Sequence, residues 1–181
     1  MKITFSRTGE RRYTTSIVRD DGVELKVPSY HRSSWLPHDL AHFVVERELG
    51  LRRGFWGRVA DGALFKGIEI LDGRRPTPDA AAHSKEQLKL NQENAVEAEV
   101  LVSSFIELVE KGIPPASVAA QARLAQRWMP QHPDARPLKS ADIQRVCAAL
   151  LAARQRFQKL VPGASFEVEW LRTKARKHRH R

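Results

Sequence analysis

Residues 13–27 read YTTSIVRDDGVELKV, two apolar alternations on either side of a polar turn. Tyr13, Thr15 and Ile17 recur at every second position, and Val23, Leu25 and Val27 do the same after Asp20-Asp21-Gly22. A period of two sends successive side chains to opposite faces, so each run is a half-buried strand and the pair is a hairpin. Turn length then sets the register. A three-residue loop places Ile17 opposite Leu25 and Thr15 opposite Val27, whereas a two-residue Asp21-Gly22 turn places Ile17 against Lys26 and mixes the two faces. The first register is expected, with Gly22 in the left-handed region that a residue lacking Cβ enters freely.

Strand character reaches back to residue 2. It reappears at 165–171, SFEVEWL, where Phe166, Val168 and Trp170 share one face and Glu167 and Glu169 the other, a strand suited to complete the same sheet. Between these strands the apolar period becomes helical. A first helix is expected over 37–49, with proline near its first turn and Gly50 as the stop. The glycine-punctuated segment 54–67, GFWGRVADGALFKG, is apolar enough to be packed but fits neither helix nor loop decisively. Residues 72–79, DGRRPTPD, read as a linker or turn. Ser84 and Gln87 then form a capping box opening a helix that continues to Lys111 and stops at Gly112-Ile113-Pro114-Pro115. Further helices are expected at 116–129 and 141–160, the second capped by Ser140, with the proline-rich MPQHPDARP between them. The fold class that follows is α+β, a small antiparallel sheet on about four helices, with residues 1–171 as one domain and 172–181 as a basic tail.

With 181 residues and 41% apolar content, one domain with one sizeable core is the expectation. The opening MKITFSRTGERR has no apolar stretch behind it, and the longest mostly apolar uncharged run is VCAALLAA at 146–153. Neither a signal peptide nor a membrane span fits, and a cytoplasmic protein is expected. The only cysteine, Cys147, lies among apolar residues at helical spacing, which excludes an intrachain disulfide or a cysteine-based zinc site and predicts a core position. Of the net charge of +10, six units sit in residues 172–181, RTKARKHRHR, leaving +4 for the rest. A basic tail of this kind is commonly a solvated end, and it is also able to neutralise nucleic-acid phosphates.

The residues with most chemistry lie on the first helix. At about 100° per residue, with His38 at zero, His42 falls near 40°, Glu46 near 80° and Asp39 near 100°. Four ligand-type side chains therefore share one arc of a helix whose other positions, among them Leu40, Phe43, Val44 and Val45, are apolar. Two imidazoles at i and i+4 converge on one metal ion in the way HExxH helices hold zinc. HDLAH has that histidine spacing, with Asp39 where those helices carry a glutamate base. Asp39 and Glu46 are each candidates for third ligand or base, and Asp39 also for orienting an imidazole. The ordinary alternative is capping chemistry at a helix start together with a wet helix face. Glu93 and Glu97, one turn apart on the long helix, are further candidate ligands or plain surface carboxylates. His31, His83 and His132 form no constellation.

The block LPHDLAHFVVERELGLRRGFWGRVADGALF, residues 36–65, resembles a family of bacterial proteins, which implies a bacterial source and says nothing of mechanism. Its HDxxH core is also similar to the metal motif of a ubiquinone-biosynthesis protein family, in which a glutamate follows twelve residues after the second histidine. That position is Gly54 in this chain. The resemblance implies only that His38, Asp39 and His42 act together at a metal.

No GxSxG elbow, phosphate-binding loop, dinucleotide fingerprint or CxxC pair occurs. Trp35, Phe55 and Trp56 beside Arg52, Arg53 and Arg58 offer either a stacking platform for single-stranded nucleic acid or part of the core. Three functions follow as expectations. The first is a metal-binding protein, a divalent-metal hydrolase or lyase acting on an unknown small-molecule substrate, with zinc the first candidate ion. The second is a nucleic-acid-binding accessory protein using its basic tail and segment 52–58. The third is a non-enzymatic module whose long helix docks a partner or a second copy of the chain.

Overall fold

The computed structural model describes residues 1–10, 12–27, 36–71, 82, 84, 92–128 and 138–171, with the backbone alone described for 92–97. The hairpin has the three-residue register. Strand β2 (Tyr13–Val18) runs antiparallel to β3 (Glu24–Val27), with Ile17 opposite Leu25 and Thr15 opposite Val27. Gly22 closes the turn at φ 81°, its N–H donating to the Arg19 carbonyl at 3.0 Å. Gly22→Val forces a β-branched side chain into the left-handed region, and the denaturation midpoint should fall by the equivalent of about 1–2 kcal/mol. An unchanged midpoint would mean that the turn relaxes to another conformation.

Strand β1 (Lys2–Arg7) pairs with β2 on one side, Ile3 opposite Ile17 and Phe5 opposite Thr15. The dipeptide β4 (Glu69–Ile70) adds to β3, and β5 (Ser165–Glu169) adds to β1 with Phe166 opposite Phe5. The five strands lie in the order β4-β3-β2-β1-β5, all antiparallel. The strand expected over 165–171 is found at Ser165–Glu169 and completes the N-terminal sheet as its alternation predicts, while β4 is too short to announce itself. One sheet face, carrying Ile3, Phe5, Ile17 and Leu25, is buried, and the other is polar, with Lys2 paired to Glu167 and Lys26 to Glu69.

Five helices are described: α1 (His38–Leu49), α2 (Phe55–Ala60), α3 (Gln92–Glu110), α4 (Val118–Trp128) and α5 (Ser140–Gln158). Helix α1 packs against α2, α3 and α5, and α4 lies along α3. Phe5 of the sheet meets Phe43 of α1 and Trp56 of α2 edge-to-face, with centroids 6.4 and 6.2 Å apart. These contacts hold α1 and α2 on the sheet, and the apolar side chains of sheet and helices form one continuous cluster that includes Cys147. No helix among the described residues is long and apolar enough to cross a membrane.

Two local expectations are corrected, and one segment left open by the sequence is resolved. Helix α5 begins at Ser140 itself with Lys139 as N-cap and no side-chain cap bond, because helical backbone already includes Ser140 and its hydroxyl cannot fold back as a cap. Ser84 is also already helical, and its hydroxyl accepts from the Leu64 N–H at 2.9 Å, tying the loop after α2 to this segment. The first part of the glycine-punctuated segment is α2 and residues 61–67 are turn and loop, with Trp56 and Arg58 buried, so Trp56 belongs to the core and is not available for stacking on a base. The linker 72–79, Gln87, the stretch 129–137, the tail 172–181, Trp35, His31, His83 and His132 lie outside the described residues.

Candidate metal centre

Helix α1 enters through Pro37 (φ −52°, ψ 132°), whose missing N–H is one the helix start leaves unbonded, and ends at Gly50 in the left-handed region at φ 68°. Residues Leu40 to Glu46 are all buried, so part of the polar arc lies inside the protein. A buried polar group needs a partner. The four side chains on the arc find theirs on three different elements, α3, the sheet and α2.

His38 and His42 stack one turn apart, ring centroids 4.7 Å and planes 27° apart. Both turn Nε2 toward Glu99 of α3, His38 at 3.2 Å from Oε1 and His42 at 3.0 Å from Oε2. One ligand atom from each of His38, His42 and Glu99 lies within 4.8 Å of the others. Two donors about 2.1 Å from a common ion stand about 4 Å apart at most, so the trio needs to close by less than about 1 Å, within the reach of small side-chain rotations. His38 and Glu99 are half exposed, their side chains 45% and 57% accessible, while His42 is 11% accessible. The trio has a buried side and an open side.

Glu46 stands behind His42. Its Oε1 lies 3.1 Å from His42 Nδ1, and its two oxygens accept the N–H groups of Phe55 at 2.7 Å and Trp56 at 2.9 Å. Those N–H groups open α2 and have no partner within that helix, so the carboxylate satisfies them and favours the helix dipole while its own side chain is wholly inaccessible. By accepting the Nδ1 proton it also fixes the tautomer that leaves Nε2 free to bind a metal, the usual support for a ligating histidine. Asp39 turns the other way, to the sheet, where it accepts the hydroxyl proton of Thr15.

These partners shift the protonation of the groups. Burial alone pushes the His42 imidazole down, but hydrogen bonds to Glu46 and Glu99 and their negative charge outweigh it and lift it from 6.5 to about 9. The hydrogen bond from His42, with the charge of both imidazoles, holds the Glu99 carboxyl below its ordinary value against the opposing effect of burial. Burial raises the Asp39 carboxyl, opposed by hydrogen bonds from Thr15 and Tyr13. Without a metal, a proton on His42 occupies the place between the imidazole and Glu99.

Of the residues that the sequence marked, His38 and His42 come together, and Asp39 and Glu46 remain near but do not join that group. The side chains of Glu93 and Glu97 lie outside the described residues. The carboxylate that completes the trio, Glu99, escaped the sequence reading. Its one signal is that it borders the stripe Ala98, Leu101, Val102, Phe105 and Leu108 that α3 buries.

The trio forms one wall of a cavity of about 260 Å³ that Asp39 also lines. Most of its lining is apolar, supplied by Val27, Phe55, Phe65 and Ile68, and the rings of Phe55 and Phe65 lie 4.8 Å apart. Phe55 is also the residue whose N–H binds Glu46, so the wall of the cavity and the support of His42 are fixed by the same turn of α2.

Gly54 makes this arrangement possible. Its backbone, φ −73° and ψ −165°, suits any residue, but an added Cβ would lie 2.3 Å from Glu46 Cδ and 2.6 Å from both its oxygens. Gly54→Ala should therefore displace Glu46, destabilise the fold by about 1–3 kcal/mol and disturb the His42 ring, seen as a shifted imidazole resonance. Wild-type stability in that variant would show that the carboxylate moves without cost. The chain matches no protein-family model, no curated protein and no solved structure.

Proposed function

We propose that this protein is a divalent-metal-dependent hydrolase or lyase in which His38, His42 and Glu99 hold the ion. The observation that carries the proposal is the convergence of two imidazoles and a carboxylate, within 4.8 Å, on the wall of an apolar cavity. Two histidines and one carboxylate make a three-ligand set, the set that catalytic zinc sites use while keeping a fourth position for water or substrate. An ion there supplies Lewis acidity toward a bound oxygen and a water acidic enough to react near neutral pH. Zinc fits the nitrogen-rich donor set better than magnesium or calcium, which favour all-oxygen sites.

The chain's own residues divide the remaining work. Glu46 holds His42 in the tautomer and orientation that expose Nε2. Asp39 lines the same cavity while its carboxyl group accepts from Thr15 of the sheet, and it is the proposed carrier of a proton there. The apolar walls exclude water from the rest of the cavity and accept the non-reacting part of a small substrate.

Protein purified without a histidine tag should take up one zinc ion per chain. Alanine at both His38 and His42 should abolish that uptake while leaving helix content unchanged by circular dichroism. Zinc uptake that stays stoichiometric in the double variant would place the ion elsewhere, and no uptake by the wild type would remove the proposal. The nucleic-acid alternative has less support, since Trp56 of segment 52–58 is buried.

A further inference from the structure

The cavity has a chemistry of its own beyond the three ligands. On one side stand the donors of the proposed metal centre, and the rest is a slot lined by Val27, Phe55, Phe65 and Ile68 together with Tyr13, Asp39 and Lys66. At about 260 Å³ it falls just below the roughly 300–1,000 Å³ of drug-sized ligand sites, so its ligand is small. The exposed Lys66 adds a basic side chain to the lining, and a divalent ion held by two neutral imidazoles and one carboxylate adds a net positive charge. An apolar body fits the slot and an anionic or oxygen-rich head fits the charged wall. Away from Tyr13, Asp39 and Lys66 the slot offers no hydrogen-bonding side chain beyond the proposed ligands, which leaves sugars, nucleosides and polar peptides with unsatisfied groups against Val27, Phe55, Phe65 and Ile68.

We infer that the site binds small apolar carboxylates and the acyl compounds from which hydrolysis would release them, with the carboxylate or carbonyl oxygen at the His38, His42 and Glu99 wall and the hydrocarbon body lying against the paired rings of Phe55 and Phe65. The inference rests on the metal-centre proposal and names its ligand class. A short acyl chain suits the slot because each methylene removed from water contributes about 0.8 kcal/mol when fully buried. Phe55 packs against the buried Trp56 at a centroid distance of 5.0 Å, which supports this wall of the slot.

The test uses the full chain loaded with zinc and three probes in calorimetric titrations: hexanoate, acetate and 1-hexanol. Hexanoate should bind at least about tenfold more tightly than acetate, a modest share of what four more methylenes allow. It should also outbind 1-hexanol, which has the same body without the charge. Phe65→Ser should erase the preference for hexanoate over acetate while leaving zinc stoichiometry at one, and Ile68→Asn serves the same purpose should that variant fail to fold. Equal affinity for hexanoate and acetate would overturn the apolar part, and equal affinity for 1-hexanol the anionic part. Failure of the chain to take up zinc at all would overturn the metal-centre proposal as well, whereas zinc uptake without a hexanoate preference would overturn this inference alone.

Discussion

Glu46→Ala should lower the stability of the protein by about 3–5 kcal/mol, the cost of removing one partner from a buried ionic group. Three donors lose their acceptor together: the N–H groups of Phe55 and Trp56 and Nδ1 of His42. Water reaches that position poorly, since the Glu46 side chain is wholly inaccessible and Trp56 is buried. Each orphaned group therefore retains most of its desolvation cost. Glu46→Gln keeps one acceptor oxygen but turns an NH2 toward a donor, so it should fall between wild type and alanine. Zinc affinity should drop by about 10–100-fold in Glu46→Gln, the usual consequence of losing the group that orients a ligating histidine. Chemical denaturation and metal titration read the two effects separately. A loss under about 1 kcal/mol on alanine substitution would mean that Glu46 is not the clasp between α1 and α2 that its contacts describe.

Zinc affinity should rise about 50-fold between pH 7 and pH 9 and level off above that. The proton on His42 has to leave before Nε2 can bind a metal, and Glu46 and Glu99 hold that proton up to about pH 9. Each pH unit below that value therefore costs the metal about a factor of ten. Glu99 does not add to the slope, because its carboxyl is held below its ordinary range and stays ionised across this window. A plot of log affinity against pH should have a slope near one. Glu46→Gln removes one of the two carboxylates that raise His42 and should flatten the plot. A flat wild-type profile would show that His42 does not release a proton to the metal.

The same protonation stabilises the metal-free fold. The folded pKa of His42 lies above the unfolded value of 6.5, so the stabilisation is fully present below about pH 6.5 and is lost as pH rises through about 9. Metal-free protein should be less stable at pH 9 than at pH 6.5 on this account, and zinc should offset that loss most at the alkaline end.

The sheet was legible because strand pairing is a local problem here. The alternation of Tyr13, Thr15 and Ile17 against Val23, Leu25 and Val27 admits one register that keeps the apolar side chains together, and Gly22 supplies the turn that this register requires. The histidine pair was legible for a similar reason, since positions 38 and 42 lie one turn apart on any helix. Strand β4 and helix α2 were not legible: two and six residues are too few to show a period, and each exists by borrowing hydrogen bonds, β4 from β3 and α2 from the Glu46 side chain.

Which carboxylate completes the trio is a question about helix docking. Residues 97 and 99 stand about 200° apart around α3, so only one flank of its buried stripe can turn toward α1. That flank is set by how α3 settles against α1, α4 and α5 together, a balance of packing that no single helix encodes. Docking also separated the four polar groups of α1. His38 and His42 meet Glu99 across the interface with α3, Asp39 meets Thr15 on the sheet, and Glu46 meets the first turn of α2. The spacing of residues along the chain fixed that these side chains share an arc, and three different neighbours, each filling a different hydrogen-bonding need, gave them three different roles.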